Sequence, residues 1–132
     1  MSVSTLELIA SATQTASGNG AWIPVQTLTM LQVEVDITAA TSITTFDLWL
    51  QGSAVGGADE GYDLPCDRQL TTLATAAGNA PVADLRDIVQ NKTTSTAQRD
   101  IGIFKHVPAK YVRVKWILNG TDVTFSVKGS GK

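Results

Sequence analysis

Hydrophobic and polar residues alternate along the stretch from Leu31 to Thr38. One face of this stretch carries only apolar residues: Leu31, Val33, Val35 and Ile37. The positions between them are polar. Successive side chains of a strand point to opposite faces, so a slip of one residue would bury the polar set. The pattern therefore predicts a half-buried β-strand with a well-defined register.

Apolar and polar residues alternate in the same way along Phe46–Gln51. It places Phe46, Leu48 and Leu50 on the inner face. Trp49 falls on the opposite face, where we expect a loop to cover part of the ring. Weaker strand patterns lie at residues 6–12, 22–23 and 101–104.

Two alternating runs flank Asn119-Gly120 near the end of the sequence, namely Tyr111–Leu118 and Val123–Lys128. Asn-Gly between alternating runs is the strongest short-range signal for a hairpin. We therefore predict a C-terminal β-hairpin. In its first strand either the even positions from Val112 or the odd positions from Tyr111 face inward. The inward residues that we expect across the whole chain are Leu31, Val33, Val35, Leu48, Leu50, Val112, Val114 and Phe125.

The segment Pro81–Gln90 departs from this period. Val82, Leu85, Ile88 and Val89 fall on one helical stripe, and Pro81 suits a first helical turn. A short helix and an irregular loop both fit. The polar stretch of residues 91–99 is predicted to be an exposed loop.

Short alternating strands joined by glycine-rich turns are typical of all-β folds. We predict a single domain over residues 1–132. Its fold class is an antiparallel β-sandwich or a jelly-roll-like barrel, with a C-terminal β-hairpin and at most one short helix.

The composition predicts, in addition, a surface that carries few charged side chains. Apolar residues make up 43% of the chain and charged residues only 17%, with a net charge of −2. Scattered basic residues and a slightly negative total argue against a nucleic-acid partner. Cys66 is alone, so a disulfide within one chain is excluded. We expect no signal peptide and no membrane span, and therefore synthesis in a cytoplasm.

Candidate chemistry is sparse. His106 is the single histidine, and we interpret it as an ordinary loop residue rather than a general base. Asp59, Glu60 and Asp63 could form part of a calcium site, but a solvated turn fits better, because the spaced ligands of a calcium loop are missing. We expect no enzyme activity, no cofactor and no metal. The three tryptophans offer one alternative, an aromatic platform for sugar, formed by Trp22, Trp49 and Trp116.

Three segments together resemble the small β-sandwich head decoration (cement) and minor structural proteins of tailed bacteriophages. The first runs from Thr5 to Gly20, and the second, Leu48–Ser53, leads through glycines to Gly61-Tyr62-Asp63-Leu64. The third is Lys110–Trp116, followed by an Asn-Gly-Thr turn and Val123–Val127. The stretch from about residue 71 to 99 falls outside the resemblance.

The resemblance implies a non-enzymatic virion protein on the capsid exterior. It would be a trimer that clamps neighbouring major capsid subunits. The alternatives are a neck, tail or fibre component of the particle, or a carbohydrate-binding module. An N-terminal arm and a docking segment are the candidate partner contacts, although a frayed terminus and an ordinary loop fit as well. The residues concerned are Met1, Ser2, Val3, Ser4, Val82, Leu85 and Ile88.

Overall fold

A computed structural model describes residues 4–25, 28–57, 61–68 and 86–132. Every regular element among them is a β-strand. The strands are β1 (Ser4–Gln14), β2 (Gly18–Asn19), β3 (Ile23–Pro24), β4 (Leu31–Ser53), β5 (Tyr62–Asp63), β6 (Asp67–Arg68), β7 (Asp87–Lys92), β8 (Gln98–Phe104) and β9 (Tyr111–Gly131). All of their pairings are antiparallel. The predicted all-β class is confirmed.

Two long strands form the frame of the fold. β4 has 23 residues and β9 has 21. They pair along their whole length, from Leu31 opposite Gly131 to Ser53 opposite Tyr111. The result is a single antiparallel ribbon.

The ribbon bends back on itself near its middle. Phe125 pairs with Ile37 along the ribbon, yet its ring centroid lies 5.4 Å from that of Phe46. Nine further residues along an extended strand would separate these positions by roughly 30 Å. The ribbon is therefore folded into two packed layers. Layer one contains the first half of β4 and the second half of β9, and layer two contains the other two halves.

Backbone conformation at the bend explains why it lies there. Ser42 has φ 48° and Gly120, on the adjacent strand, has φ 153°. A Cβ atom at Gly120 would lie 2.6 Å from the carbonyl oxygen of Ser42. Irregularities in β4 between Ile37 and Ala39 and between Ile43 and Thr45 flank the bend. They let the buried positions change from odd numbers in layer one to even numbers in layer two.

The remaining strands extend both layers. In layer one the order is β1-β9-β4-β8-β6. In layer two, β2 and β3 pair with β9, while β5 and β7 pair with β4. The chain passes between the layers from β1 to β2 on one side and from β7 to β8 on the other.

The turn after β1 packs against the side of the sandwich where the chain crosses from β1 to β2. The indole N–H of Trp116 donates to the carbonyl of Ala16 at 2.9 Å. The backbone N–H of Leu118 donates to the Ser17 hydroxyl at 2.9 Å. These bonds hold the turn against layer two.

A buried lysine organises the turn on the opposite side. Only 4% of Lys92 is exposed. Its ammonium donates to Thr94 Oγ1 at 3.0 Å, to the Thr96 carbonyl at 2.8 Å and to Gln98 Oε1 at 3.2 Å. Burial lowers the pKa of Lys92 below its ordinary value, and the charge of Asp100 opposes that shift. The exposed loop that we predicted is present at residues 93–97, but strand β8 begins at Gln98.

The core lies between the layers. All eight residues that we expected to face inward are at most 2% exposed: Leu31, Val33, Val35, Leu48, Leu50, Val112, Val114 and Phe125. The even positions of the first half of β9 are the buried ones. Trp116 joins this set, and its ring meets Phe125 edge-on at 5.3 Å.

The predicted C-terminal hairpin is wrong. The segments Tyr111–Leu118 and Val123–Lys128 belong to one strand, and both pair with β4 rather than with each other. Asn119-Gly120 changes the backbone direction, as expected, but it does so at the bend of the ribbon. The longer pairing with β4 satisfies the backbone groups that a hairpin would have paired.

The end of the Pro81–Gln90 segment is also different from our prediction. Asp87–Lys92 is strand β7, paired with the second half of β4. Ile88 and Val89 are buried here by the sandwich and not by a helical stripe. Residues 81–85 lie outside the described residues. Within the described ranges, no helix is long and apolar enough to cross a membrane.

Candidate interaction surfaces

The outer face of layer two carries a cluster of polar and aromatic side chains, which we call the outer cluster: Trp49, Gln51, Asp63 and Arg86. Asp63 Oδ1 accepts hydrogen bonds from the indole of Trp49 at 2.8 Å and from Gln51 Nε2 at 3.1 Å. Arg86 Nη1 lies 3.3 Å from the other carboxylate oxygen. The Arg86 guanidinium also stacks over the Trp49 ring, 3.9 Å from its centroid. The cluster thus joins β4, β5 and the residue before β7.

The charge state of Asp63 follows from these contacts. Burial alone would raise the pKa of its carboxyl group. Hydrogen bonds from Gln51, Trp49 and Arg86, with the positive charge of Arg86, instead lower that pKa below its ordinary value. Asp63 is therefore ionised at neutral pH and holds the cluster together.

A second aromatic contact continues the cluster toward β9. Arg113 donates from Nε to Gln51 Oε1 at 2.9 Å and lies 4.5 Å from the Trp22 ring centroid. The Trp22 indole donates to the carbonyl of Gly57 at 2.8 Å. These contacts pin the loop after β4 to the outer face of layer two.

The three tryptophans do not form a shared platform. Trp116 lies in the core and Trp49 is 2% exposed beneath its neighbours. Trp22 is partly buried on the outer side of layer two. Alternation placed Trp49 correctly on the outward face, but only the tertiary contacts bury it. The structure gives no support to a sugar platform made of these rings.

The other candidate groups are dispersed. Asp63 is engaged by the outer cluster, while Asp59 and Glu60 fall outside the described residues. Within the ranges that the structure describes, no group of three or more histidine, cysteine or acidic side chains could hold a metal ion. His106 is exposed in the loop between β8 and β9, and Cys66 is buried with its thiol 3.6 Å from the Arg86 carbonyl.

The outer face of layer one is different. We call it the open face, and its central residues are Met30, Gln32, Glu34, Ile101, Ile103, Lys128 and Ser130. They alternate with the buried positions of β4, β8 and β9. Met30 is 41% exposed. An open depression of about 290 Å³ lies at the Met30 end, and its lining includes Met30, Ile103, Ser130 and Lys132.

Strand register aligns the side chains of the open face in rows. Gln32 lies between Ile103 and Ser130, and the next row places Glu34 between Ile101 and Lys128. Arg99 Nε is 3.2 Å from Glu34 Oε1. The face therefore carries the charge of Lys132 at the depression and the charges of Glu34, Lys128 and Arg99 farther along.

The predicted contact residues are not brought together in the described part of the chain. Ser4 is the first residue of β1 and pairs with Gly131. Ile88 is 1% exposed and packs against Gly102, where a Cβ atom would lie 2.9 Å from Ile88 Cγ1. Ile88 is thus part of the contact between the layers. Met1, Ser2, Val3, Val82 and Leu85 lie outside the described residues.

Sequence reasoning missed the open face as a unit. Alternation indicated that Gln32 and Glu34 point outward, and Ile101–Phe104 was predicted as a strand. Nothing in the sequence indicated that Lys128 would lie beside Glu34, because the two residues are far apart in the chain.

Comparison with known proteins supports the fold. No protein-family model matches the chain, and no curated protein matches its sequence. The crystal structure of the SPBc2 prophage-derived protein YomS is similar, with a TM-score of 0.60 at 15% identity. The match covers 98% of this chain and 92% of that chain. This likeness shows that the two chains share a fold.

A structure of infectious bursal disease virus, Gx strain, also matches. Its TM-score is 0.46 at 9% identity, over 98% of this chain and 30% of that chain. A likeness of this size carries no argument about function.

Proposed function

We propose that this chain is a non-enzymatic structural protein of a tailed-phage particle. Its role is capsid decoration: it binds the exterior of the head and stabilises contacts between major capsid subunits. The observation that carries the proposal is the fold shared with a prophage-derived protein over nearly the whole of both chains. The resemblance of the three sequence segments to phage decoration proteins supports the same role.

The surfaces of the molecule suit this role. A decoration protein needs a rigid body and an adhesive surface rather than chemistry. The bent ribbon provides the rigid body, and a chain with only 17% charged residues leaves little charge to desolvate at a contact surface. Many copies with modest contacts attach firmly because they act together.

Self-association is part of the proposal. The chain acts as a homo-oligomer, and the resemblance implies a trimer. Contacts with other copies or with the capsid would cover sheet edges that otherwise promote aggregation.

Cryo-electron microscopy of the native particle tests the location directly. We expect density that fits the bent two-layer fold on the outside of the head, over the junctions of major capsid subunits. The gene should also lie next to that of the major capsid protein. Density at the neck, the tail or a fibre would contradict decoration and support the alternative role in the same particle.

A further inference from the structure

The open face is the surface that distinguishes the two sides of this sandwich. The outer cluster and the loop after β4 cover part of the opposite face, where Trp49 is buried although Ile117 stays exposed. On the open face, Met30 projects beside an open depression. With the half-buried Ile101 and Ile103, Met30 forms an apolar patch beside the depression, and such patches are a feature of interaction sites.

We propose that the open face binds the open face of a second copy of this chain, about a two-fold axis parallel to β4 and β9. The charged residues of the open face identify a second copy of this chain as the partner. Glu34 and Lys128 are directly paired on adjacent strands, and both point outward. A two-fold axis that runs between these strands exchanges the positions of β4 and β9. Lys128 of each copy then faces Glu34 of the other.

The same pair favours the parallel axis over a perpendicular axis through its own row. An axis perpendicular to the strands, through this row, would place Glu34 opposite Glu34 and Lys128 opposite Lys128. Like charges in direct opposition are unfavourable. The parallel axis avoids this, and packed sheets with nearly aligned strands are a common arrangement, about 10 Å apart.

The depression fits the same arrangement. Lys132 lies beside Met30 in the ribbon, where the backbones of the two residues are hydrogen-bonded. The parallel axis therefore places Met30 of one copy over Lys132 and Ser130 of the other. Both of these residues line the depression. Each Met30 would enter the depression of the second copy, while Gln32 would face the small, polar Ser130.

This inference rests on the proposed function for its biological setting. It deepens that function because it names a surface through which the chain would associate with a second copy. It differs from the trimer that the resemblance implies, since a face that binds itself closes as a dimer. The test uses the purified full chain alone, so it can fail while the role in the particle stands.

The experiment measures mass by sedimentation velocity and native mass spectrometry over a range of concentrations. We expect the wild-type chain to be a dimer. Glu34→Lys and Lys128→Glu each place like charges opposite each other at two positions of the interface. Each variant should weaken dimerisation by at least about tenfold.

Mixing the two variants provides the decisive test of the proposed interface. A Glu34→Lys chain carries lysine at both positions, and a Lys128→Glu chain carries glutamate at both. Unlike charges then face each other only between different chains, so the mixture should form heterodimers at concentrations where each variant alone is mainly monomeric. The pairing of residues 34 and 128 within one chain is not restored in this mixture, so a merely intramolecular role would give no heterodimer.

Lys110→Glu is the matched control, because Lys110 is exposed in the loop before β9 and away from the open face. It should leave the dimer unchanged, and circular dichroism should show that all variants are folded. A wild-type monomer, a wild-type trimer or the absence of heterodimers in the mixture would overturn the inference. A trimer would favour the arrangement that the resemblance implies.

Discussion

At the scale of single residues, two charged groups of the described chain, the exposed Asp63 and the buried Lys92, each have three hydrogen-bond donors or acceptors as partners. Asp63 is held by three donors on the outer face of layer two. The Lys92 ammonium uses its three protons within one turn. Removing the buried Lys92 ammonium leaves its acceptors without that donor, and an unsatisfied group that is shielded from water costs more than the bond itself contributes. Both residues therefore give measurable predictions.

Asp63 makes the stability of the protein depend on pH. Its pKa is lower in the folded chain than in the unfolded chain, so its contribution is complete above about pH 4. That contribution is lost as the pH falls through the folded-state pKa. We expect Asp63→Asn to unfold at a lower urea concentration than the wild type at pH 6, and the gap should narrow as the pH falls through the lowered folded-state pKa.

Asp122→Asn, at the bend of the ribbon, controls for the loss of one negative charge. Urea unfolding followed by tryptophan fluorescence measures both differences. A gap between Asp63→Asn and wild type that stays constant from pH 6 to pH 3 would contradict the assigned role.

Lys92→Met should destabilise the protein by roughly 1–3 kcal/mol. Methionine retains most of the buried aliphatic stem but leaves the acceptors on Thr94, Thr96 and Gln98 without their donor. Chemical denaturation measures the change in the free energy of unfolding. The exposed Lys110→Met should change it by less than about 0.5 kcal/mol. Equal effects of the two substitutions would show that the turn does not depend on the ammonium.

At the scale of elements, the bent ribbon of β4 and β9 decides the architecture. Each strand supplies one half to each layer, so a single pair of strands carries most of the core. The bend places backbone atoms of the two strands close together at Gly120 and Ser42. Space and backbone conformation both favour glycine there, since φ at Gly120 is 153°.

Gly120→Ala should lower the free energy of unfolding by roughly 1–3 kcal/mol. The added methyl group would meet the Ser42 carbonyl oxygen and the Ile43 Cα, which are backbone atoms and cannot rotate away. Thermal and urea denaturation provide the measurement. Thr121→Ala, at the next and exposed position, is the control and should change stability by less than about 0.5 kcal/mol. An unchanged Gly120→Ala protein would mean that the bend relaxes without cost.

At the scale of the whole molecule, the two outer faces have different properties. The loop after β4 and the outer cluster cover part of the face of layer two, which still exposes Ile117, whereas the open face of layer one carries an exposed methionine beside a depression. A decoration protein with such a body would act by adding contacts between capsid subunits.

Purified chain added to heads that lack it should raise the temperature at which those heads release their DNA. Each bound copy adds contacts that must break before neighbouring subunits separate, and binding to the intact state alone stabilises that state. A DNA-binding dye measures release during heating, with heads plus an equal amount of an unrelated protein as the control. No shift at saturating concentration would count against a stabilising role on the capsid.

The sequence by itself determined the local pattern. Alternation identified the inward face of β4 on both sides of the bend, from Val33 to Leu48, and it placed Trp49 on the outward face. It did so because burial on one side of a strand leaves a period of two in the sequence. The all-β class followed from the same signal.

Only the tertiary structure decided which segments meet. Asn119-Gly120 signals a change of backbone direction, but a hairpin and a bent ribbon satisfy that local signal equally well. The partner strand β4 decides between them, and it lies far away in the chain. The burial of Lys92 and Trp49 and the pairing of Glu34 with Lys128 depend on long-range contacts in the same way, because a residue's own neighbours in sequence do not determine what packs against it.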